Sequence, residues 1–323
     1  MKTLSGTIVV VSTLLSALGV GAVPAPVLEA RQSVTALSSA QISAFKPLSF
    51  FAGAGYCEPA KTLAWNCGVN CNANKDFKPV ASGGNGGSIQ FCKPGKYASE
   101  DDRHLTFSSS LGYVGFSPSL NTVIVAHQGT DVSEIESICT DARFFPRSLS
   151  TSLFPGVSSS VKVHSGFADV QEKTAAEILA AVKKTMSDND TNSITTVGHS
   201  LGAAISLIDA VYLRRQLPNA DIKTVAYGMP RVGNPEFANL VDSSTSLTRI
   251  TNQDDFVPII PGRGLGYRHP QGEVHITGSL AWNVCPGQDS TAKGCTIDDV
   301  PNIFVGNIFD HPGPYDGVDV SCD

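Results

Sequence analysis

From about residue 113 onward, the chain alternates between short β-branched runs and longer segments with helical periodicity. Short apolar runs bounded by polar turns are typical of buried strands, and apolar positions three and four residues apart are typical of helices packed on a sheet. Strands that alternate with helices predict right-handed crossovers and a mainly parallel sheet flanked by helices. The predicted strands are 121–129, 193–198, 221–228, 246–252 and 267–276.

Helices are expected between these strands. A helix after Ser200 should run to about Leu217, because Pro218 stops it. Asn234-Pro235 offers an N-cap followed by proline at the first helical position. Segment 165–186 should form an amphipathic helix with one apolar face, made of Phe167, Val170, Ile178, Val182 and Met186.

The N-terminal third has a different character. An apolar run ending in small residues predicts a signal peptide over 1–22, and the Pro- and Ala-rich residues 23–31 could form a propeptide. Residues 32–323 then suit a single domain, which begins with a mainly helical segment over 33–57. Residues 58–100, rich in Gly, Asn and Pro, should be a loop-rich region pinned by disulfides.

Composition excludes several classes of protein. The formal net charge is −6 and no block of Lys or Arg occurs, so a nucleic-acid partner is not expected. No later stretch is long and apolar enough to span a bilayer. Eight cysteines behind a signal peptide indicate disulfides, although Cys67-x3-Cys71 could also suggest zinc. A second close pair at finger spacing is missing, so neither metal nor cofactor is expected. Asn189-Asp190-Thr191 is an N-glycosylation sequon.

The chemistry centres on Gly198-His199-Ser200-Leu201-Gly202, which fits the G-x-S-x-G pattern of a nucleophile elbow. Ser200 could instead be a helix N-cap, because serine is favoured there. Its position between a predicted strand and a predicted helix is the context that the elbow requires. The carboxyl ends of parallel strands carry the active site in such sheets, so we interpret Ser200 as a nucleophile.

An elbow serine needs a histidine as base and an acid that orients the histidine, in the chain order Ser, Asp or Glu, His. Asp254 and Asp255 follow the strand over 246–252, although either could be a turn residue. The downstream histidines are His269, His275 and His311. His311 lies in a loop after the last strand, whereas His275 lies in a strand and His269 in a turn. We interpret His199 as the variable residue of the elbow motif.

The chain resembles the fungal class 3 lipases, which are triacylglycerol lipases with an α/β-hydrolase fold. Six motifs occur in the order of that family over about 110–315, and they are "AHQGTD", "VHSGF", "VGHSLGAA", "YGMPRVGN", "NQDDFVP" and "FDHPGPY". The resemblance implies that Ser200 is the nucleophile, Asp255 the acid and His311 the base. It also implies that Leu201 and Thr130 donate the oxyanion-hole hydrogen bonds, although Thr130 could simply cap a following helix.

The resemblance has further implications for disulfides. The family links an early Tyr-Cys to the end of the chain, which implies that Cys57 pairs with Cys322. Resemblance and proximity favour Cys67–Cys71 and Cys285–Cys295, which leaves Cys92 and Cys139 to each other.

Residues 131–139 occupy the place of the lid helix in the family. They carry apolar positions Val132, Ile135 and Ile138 on one helical face, although a helix packed permanently on the core would show the same pattern. The segment just beyond could line an acyl pocket through Phe144, Phe145, Leu149, Leu153 and Phe154.

These features together predict a secreted carboxylic-ester hydrolase, most simply a lipase that acts on acylglycerols at an oil–water interface. A feruloyl or other cell-wall esterase and a phospholipase A1 are alternatives on the same scaffold. A catalytically silent binding protein would also share the fold, but the complete set of triad and oxyanion residues argues against it.

Overall fold

A nine-stranded sheet lies at the centre of the protein, as seen in a computed structural model that describes residues 33–83, 88–89, 107–108, 112–130 and 145–322. Its order is β1-β13-β12-β11-β10-β9-β6-β5-β2, and two two-stranded sheets, β3-β4 and β7-β8, stand apart from it. The strands are β1 (Thr35–Ala36), β2 (Lys78–Gly83), β3 (Ser88–Ile89), β4 (Phe107–Ser108), β5 (Gly112–Ser117), β6 (Thr122–His127), β7 (Pro146–Ser148), β8 (Lys162–His164), β9 (Ser193–His199), β10 (Asp221–Tyr227), β11 (Ser246–Asn252), β12 (Glu273–Ile276) and β13 (Trp282–Val284).

The middle of the sheet is parallel and its flanks are antiparallel. Strands β6, β9, β10, β11 and β12 pair in parallel, as the alternation of strands and helices predicts. The antiparallel pairings of β2, β5, β13 and β1 were not predicted. Short connections explain two of them, since the residues between β5 and β6 and between β12 and β13 are too few for a parallel crossover.

Helices cover both faces of the sheet. In α6 (Leu201–Gln216), residues Leu201 to Leu213 are buried without a break. The apolar face predicted for α5 (Ser165–Asn189) is confirmed, because its five apolar residues are buried or pack partly buried against one core. The Asn234 side chain accepts the Phe237 N–H, which confirms the predicted cap of α7 (Pro235–Ser244). The helices are α1 (Ser39–Ser43), α2 (Lys46–Ala54), α3 (Pro59–Ala64), α4 (Gly68–Ala73), α5 (Ser165–Asn189), α6 (Leu201–Gln216), α7 (Pro235–Ser244) and α8 (Thr296–Asp299).

Strand β6 shows why its sequence is apolar throughout. Val123 and Val125 point into the core on the side of α5 and α6, whereas Ile124 and Ala126 point into a second core beneath the N-terminal helices. Successive side chains of a strand alternate between the faces of the sheet, so a strand covered on both faces needs apolar residues at every position. The same burial brings its carboxyl end, at His127, into the interior.

The region predicted to be loop-rich, residues 58–100, contains more regular structure than its composition suggests. Helices α3 and α4 and strand β2 lie in its described part. Pro59 occupies the first turn of α3, where proline is tolerated. Asn70 in α4 donates to the carbonyl of Ser321, so tertiary contacts support these short helices. Within the described residues, no helix combines the length and apolarity needed to cross a bilayer.

Three disulfides cross-link the described part of the chain. Cys57 pairs with Cys322, Cys67 with Cys71 and Cys285 with Cys295, as the resemblance and the spacing implied. Cys92 and Cys139 lie outside the described residues. Glu273 lies close to Cys285 and Cys295, but both sulfurs are in a disulfide and offer no thiolate to a metal.

Candidate active site

Ser200 lies in a strained turn between β9 and α6. Its backbone has φ 57° and ψ −127°, a conformation that non-glycine residues rarely adopt and that costs on the order of 1–3 kcal/mol. The Ser200 side chain accepts no N–H of the helix that follows, so the structure does not use it as a capping group. The Ser200 N–H donates to the carbonyl of Tyr227 at 2.9 Å, which fixes the turn against the next strand.

The two glycines of the elbow allow this turn to pack closely. A methyl group at Gly198 would lie 2.5 Å from the carbonyl carbon of Gly202. A methyl group at Gly202 would lie 2.3 Å from the carbonyl oxygen of His127. Both distances are far below van der Waals contact, so only glycine lets the strand, the helix and the end of β6 meet here.

His311 and Asp255 form a buried pair. Nδ1 of His311 lies 2.7 Å from Oδ2 of Asp255, and both side chains are fully buried. The other carboxylate oxygen of Asp255 accepts the N–H of Val257. Asp254 is exposed, and its N–H donates to Asp310. The structure therefore joins His311 to Asp255 rather than to Asp254.

Nε2 of His311 faces away from Asp255 and is buried without a hydrogen-bond partner in the part of the chain that the structure describes. A methyl group at Gly228 would lie 2.8 Å from Cε1 of His311, so this ring packs on the residue that follows Tyr227. The Ser200 N–H is hydrogen-bonded to the Tyr227 carbonyl, and Gly228 follows Tyr227. The His311 ring therefore lies beside the elbow. Nε2 makes no hydrogen bond with the Ser200 hydroxyl in this structure, and catalytic hydrogen bonds often tighten only when substrate binds.

His199 has a role that sequence reasoning missed. Its Nε2–H donates to the carbonyl of His311 at 2.8 Å, and its Nδ1 accepts the Tyr56 hydroxyl at 2.6 Å. Burial, followed by repulsion from His311, lowers the pKa of His199 well below its usual value, so the ring is neutral. Tyr315 donates to the same carbonyl. His199 thus holds the loop of His311, and no feature of the elbow motif indicates this partner.

The residues predicted for the oxyanion hole lie at the same edge of the sheet. Leu201 is the first residue of α6, so its N–H has no acceptor within the helix. Thr130 is buried in the loop after β6, and its hydroxyl has no hydrogen-bond partner among the described residues. A methyl group at Gly202 would lie 2.6 Å from atoms of Gln128, which shows that this loop rests on the first turn of α6.

Three of the predicted acyl-pocket residues, Leu149, Leu153 and Phe154, lie in or against one hydrophobic core. Phe154 is buried in the core, and its ring lies 5.8 Å from that of Tyr212. Tyr212 is twelve residues beyond Ser200, or about 18 Å along the helix axis. Leu153 packs on the same core, and Leu149 is buried within it. These three positions lie in or against the hydrophobic core beside α5 and α6, and their role as an acyl-pocket wall stays a prediction, because apolar segments that fill a core and those that line a pocket look alike in sequence.

Other predicted positions are placed as follows. Phe145 is 54% exposed, and its carbonyl accepts the N–H of Ser165. Phe144 and the lid segment 131–139, with Val132, Ile135 and Ile138, lie outside the described residues. Asn189 is the last residue of α5, and its amide donates to the carbonyl of Thr185.

The other candidate histidines, His269 and His275, form hydrogen bonds with a backbone carbonyl or with side chains away from the triad. His269 is buried and donates through Nε2 to the carbonyl of Pro258 at 2.7 Å. His275 contacts Asp299 and Thr251. Neither contacts Asp255, so His311 alone of the downstream histidines has an acid partner next to the elbow.

Comparison with known proteins points to one class of enzyme. A family model described as lipase (class 3) matches residues 124–265. The secreted mono- and diacylglycerol lipase MDL2 of Malassezia globosa is 35% identical over 60% of this chain and 63% of its own length, slightly less than two thirds. MDL4 of the same organism, also named a secreted mono- and diacylglycerol lipase, is 33% identical over 68% of this chain and 70% of its own.

The fold is shared with a solved lipase. The structure of the triacylglyceride lipase of Rhizomucor miehei superimposes with a TM-score of 0.72 and 25% identity, over 90% of this chain and 99% of that one. This fold, the elbow and the relatives of the chain together make the protein a serine ester hydrolase of the α/β-hydrolase type. Because it matches a relative of 33% identity over 70% of that relative's length, the chain belongs to the class 3 lipase family.

Proposed function

We propose that this protein is a secreted lipase that hydrolyses acylglycerols through acylation and deacylation of Ser200. The observation that carries the proposal is the buried His311–Asp255 pair, 2.7 Å between Nδ1 and Oδ2, beside a strained serine. With its Nδ1–H held by a carboxylate, a neutral imidazole presents a lone pair on Nε2. That lone pair is the acceptor that a serine hydroxyl needs to become a nucleophile.

In the proposed acylation step, the Ser200 oxygen attacks the ester carbonyl while Nε2 of His311 takes its proton. The imidazolium then gives this proton to the leaving alcohol oxygen as the carbon–oxygen bond breaks, and the acyl group remains on Ser200. Water repeats the sequence in deacylation, so the fatty acid leaves and Ser200 regains its proton. Asp255 holds the tautomer and stabilises the imidazolium without being protonated.

The carbonyl oxygen becomes negatively charged in each tetrahedral intermediate. We propose the N–H groups of Leu201 and Thr130 as its donors, with the Thr130 hydroxyl as a third. The buried Thr130 hydroxyl, without a partner among the described residues, supports this role. Loss of one such donor typically costs about 3 kcal/mol of transition-state stabilisation.

An exposed apolar segment just before His311 supports a lipid substrate. Phe304 is 91% exposed and Phe309 is 81% exposed, and Ile303 and Val305 are also exposed. Large exposed apolar side chains grouped in one segment are uncommon on soluble proteins and often mark a contact with apolar partners. The relatives named as mono- and diacylglycerol lipases support the same substrate class.

The lid remains a prediction. We propose that residues 131–139 cover Ser200 in water and open on lipid. The test is to follow the rate on a short-chain triacylglycerol across its solubility limit, for the parent and for Ile135→Ser with Ile138→Ser. A rate jump in the parent that the double variant loses is expected, and a parent without a jump would contradict the lid.

We further propose that residues 1–22 are removed as a signal peptide, that 23–31 form a propeptide, and that Asn189 is glycosylated. Relatives named as secreted and the three disulfides support an extracellular location. N-terminal sequencing of protein from the culture medium should begin at or after residue 23. An endoglycosidase should reduce the mass of the parent but not of Asn189→Gln.

The decisive experiment compares ester hydrolysis by the parent and Ser200→Ala. A chain-length series of acylglycerols is measured beside methyl ferulate and a phospholipid. We expect hydrolysis of acylglycerols by the parent, and a loss of kcat on the order of a million-fold in Ser200→Ala with unchanged thermal unfolding. Faster turnover of methyl ferulate would indicate a cell-wall esterase, and preference for the phospholipid would indicate a phospholipase.

A further inference from the structure

A second buried histidine–carboxylate pair lies next to the proposed oxyanion hole and takes no part in the proton transfers described above. Nε2 of His127 lies 2.7 Å from Oδ2 of Asp209. The side-chain amide of Gln171 donates to the other oxygen, Oδ1, at 2.9 Å. His127 is 1% exposed, and Asp209 and Gln171 are fully buried. Both oxygens of the carboxylate are therefore engaged inside the protein.

The three residues come from three different elements. His127 is the last residue of β6, Asp209 lies on α6 and Gln171 lies on α5. The strand leads directly into Gln128, Gly129 and Thr130, which we call the oxyanion loop. The helix begins at Leu201. The cluster thus ties the strand that carries one proposed oxyanion donor to the helix that carries the other.

A backbone contact joins the same two elements nearer to the site. A methyl group at Gly202 would lie 2.3 Å from the carbonyl oxygen of His127 and 2.6 Å from the carbonyl group of Gln128. This contact sets how closely β6 approaches α6. Asp209 lies eight residues after Leu201, about 12 Å along the helix axis. Two attachments that far apart fix the tilt and the axial position of the strand end as well as its distance.

Stability alone gives a weak reason for this pair. Asp209 lies on a helix whose neighbouring side chains, such as Ile205 and Ile208, are buried in the apolar core. Moving a carboxylate into such surroundings carries a large desolvation cost, and apolar replacement of a buried ion pair is often neutral or stabilising. Hydrogen bonds fix the angle and the separation of their partners. Contacts between apolar side chains are not directional in this way.

We propose that His127, held by Asp209 and Gln171, is a positioning residue for the oxyanion hole. It sets the distance between the N–H groups of Thr130 and Leu201, so that both point at one oxygen. This inference rests on the proposed acyl-transfer function and deepens it. Displacement of a catalytic group by about 1 Å can reduce the rate about a hundredfold, so a small shift of the strand end has a measurable effect.

The test compares His127→Asn with His127→Gln. The glutamine amide nitrogen reaches the place of Nε2, where it can donate to Asp209, whereas the shorter asparagine amide reaches only the place of Nδ1. We expect His127→Asn to lower kcat on a short-chain acylglycerol about 10- to 100-fold with KM changed less than about twofold. His127→Gln should recover most of kcat.

A matched control is available on another strand. His275 in β12 is fully buried and makes the same kind of pair, with Nε2 2.9 Å from Oδ2 of Asp299. His275→Asn should lower the thermal unfolding temperature and leave kcat within about twofold of the parent. A second readout is the affinity for an alkyl boronic acid, which occupies the oxyanion hole when bound to a serine. Its affinity should fall in His127→Asn but not in His275→Asn.

The outcomes separate the two proposals. A parent that hydrolyses none of the esters overturns the proposed function. An active parent whose kcat survives in His127→Asn overturns the positioning role, and so does an equal loss of kcat in His275→Asn or no recovery in His127→Gln. If His127→Asn does not fold, Gln171→Leu supplies the test, because it removes only the bond to Oδ1. It should lower kcat and the boronic acid affinity together, and a parent-like kcat there contradicts the proposal.

Discussion

At the scale of single residues, the adjacent aspartates Asp254 and Asp255 after β11 differ in burial and in hydrogen-bond partner. Asp255 is buried against His311, whereas Asp254 is exposed. Asp255→Asn should lower kcat about 10⁴-fold, because an amide nitrogen facing Nδ1 would favour the wrong tautomer of His311. The measurement is kcat on an acylglycerol for Asp255→Asn and for Asp254→Asn as control. Activity within about twofold of the parent is expected for the control, and a reversed order would assign the acid to Asp254.

At the scale of elements, helix α5 depends on a neutral histidine at its start. The Nδ1 of His164 accepts the N–H of Gly166, so this cap requires an unprotonated nitrogen. Burial, partly offset by the charge of Asp169, lowers the pKa of His164 to about 4. The unfolded chain binds this proton near pH 6.5, so the unfolded state holds more protons between pH 6.5 and 4. The contribution of His164 is therefore complete above pH 6.5 and is lost as the pH falls towards 4.

We expect this one group to reduce the free energy of unfolding by about 3 kcal/mol between pH 7 and pH 4. Asparagine is a good capping residue that does not titrate in this range, so His164→Asn should have a shallower dependence on pH. Urea unfolding of the parent and of His164→Asn at several pH values measures the difference. Identical slopes for the two proteins would show that His164 is not the source.

At the scale of the whole molecule, the Cys57–Cys322 disulfide joins the N-terminal helices to the end of the chain. It spans 265 residues, and the chain-entropy model assigns such a long loop about 5.5 kcal/mol of stabilisation. The pair Cys285–Cys295 spans only 10 residues, for which the same model gives about 3 kcal/mol. Replacing Cys57 and Cys322 with serine should therefore lower the free energy of unfolding more than replacing Cys285 and Cys295.

Denaturant unfolding of the two double variants provides the comparison. The loss of Cys57–Cys322 has a second expected effect, because Cys57 follows Tyr56, which donates to His199. Loosening this segment should lower kcat as well as stability, whereas the variant lacking Cys285 and Cys295 should keep its kcat. A larger loss of stability from the short loop would contradict the entropic account.

The sequence by itself determined the parallel centre of the sheet, helices α5 to α7 and the position of the elbow serine. These features are local, since β-branched runs, periodic apolar positions and a glycine–serine turn express themselves within a few residues. The order of the motifs indicated Asp255 and His311, and the structure brings these two side chains together. The pairings of β1 and β2 and the helices of the 58–100 region depend on contacts with distant segments, so composition did not reveal them.

Only the tertiary structure decided how the side chains around the elbow are used. In sequence, His127, His199 and His269 are equivalent imidazoles, yet one binds Asp209, one the carbonyl of His311 and one the carbonyl of Pro258. Likewise, Phe154 has the apolar character of a pocket residue but packs on Tyr212 in the core. A local pattern fixes which face of a strand or helix is apolar. The partner that this face meets is set by the packing of elements far apart in the chain, and the role of a polar side chain depends on that partner.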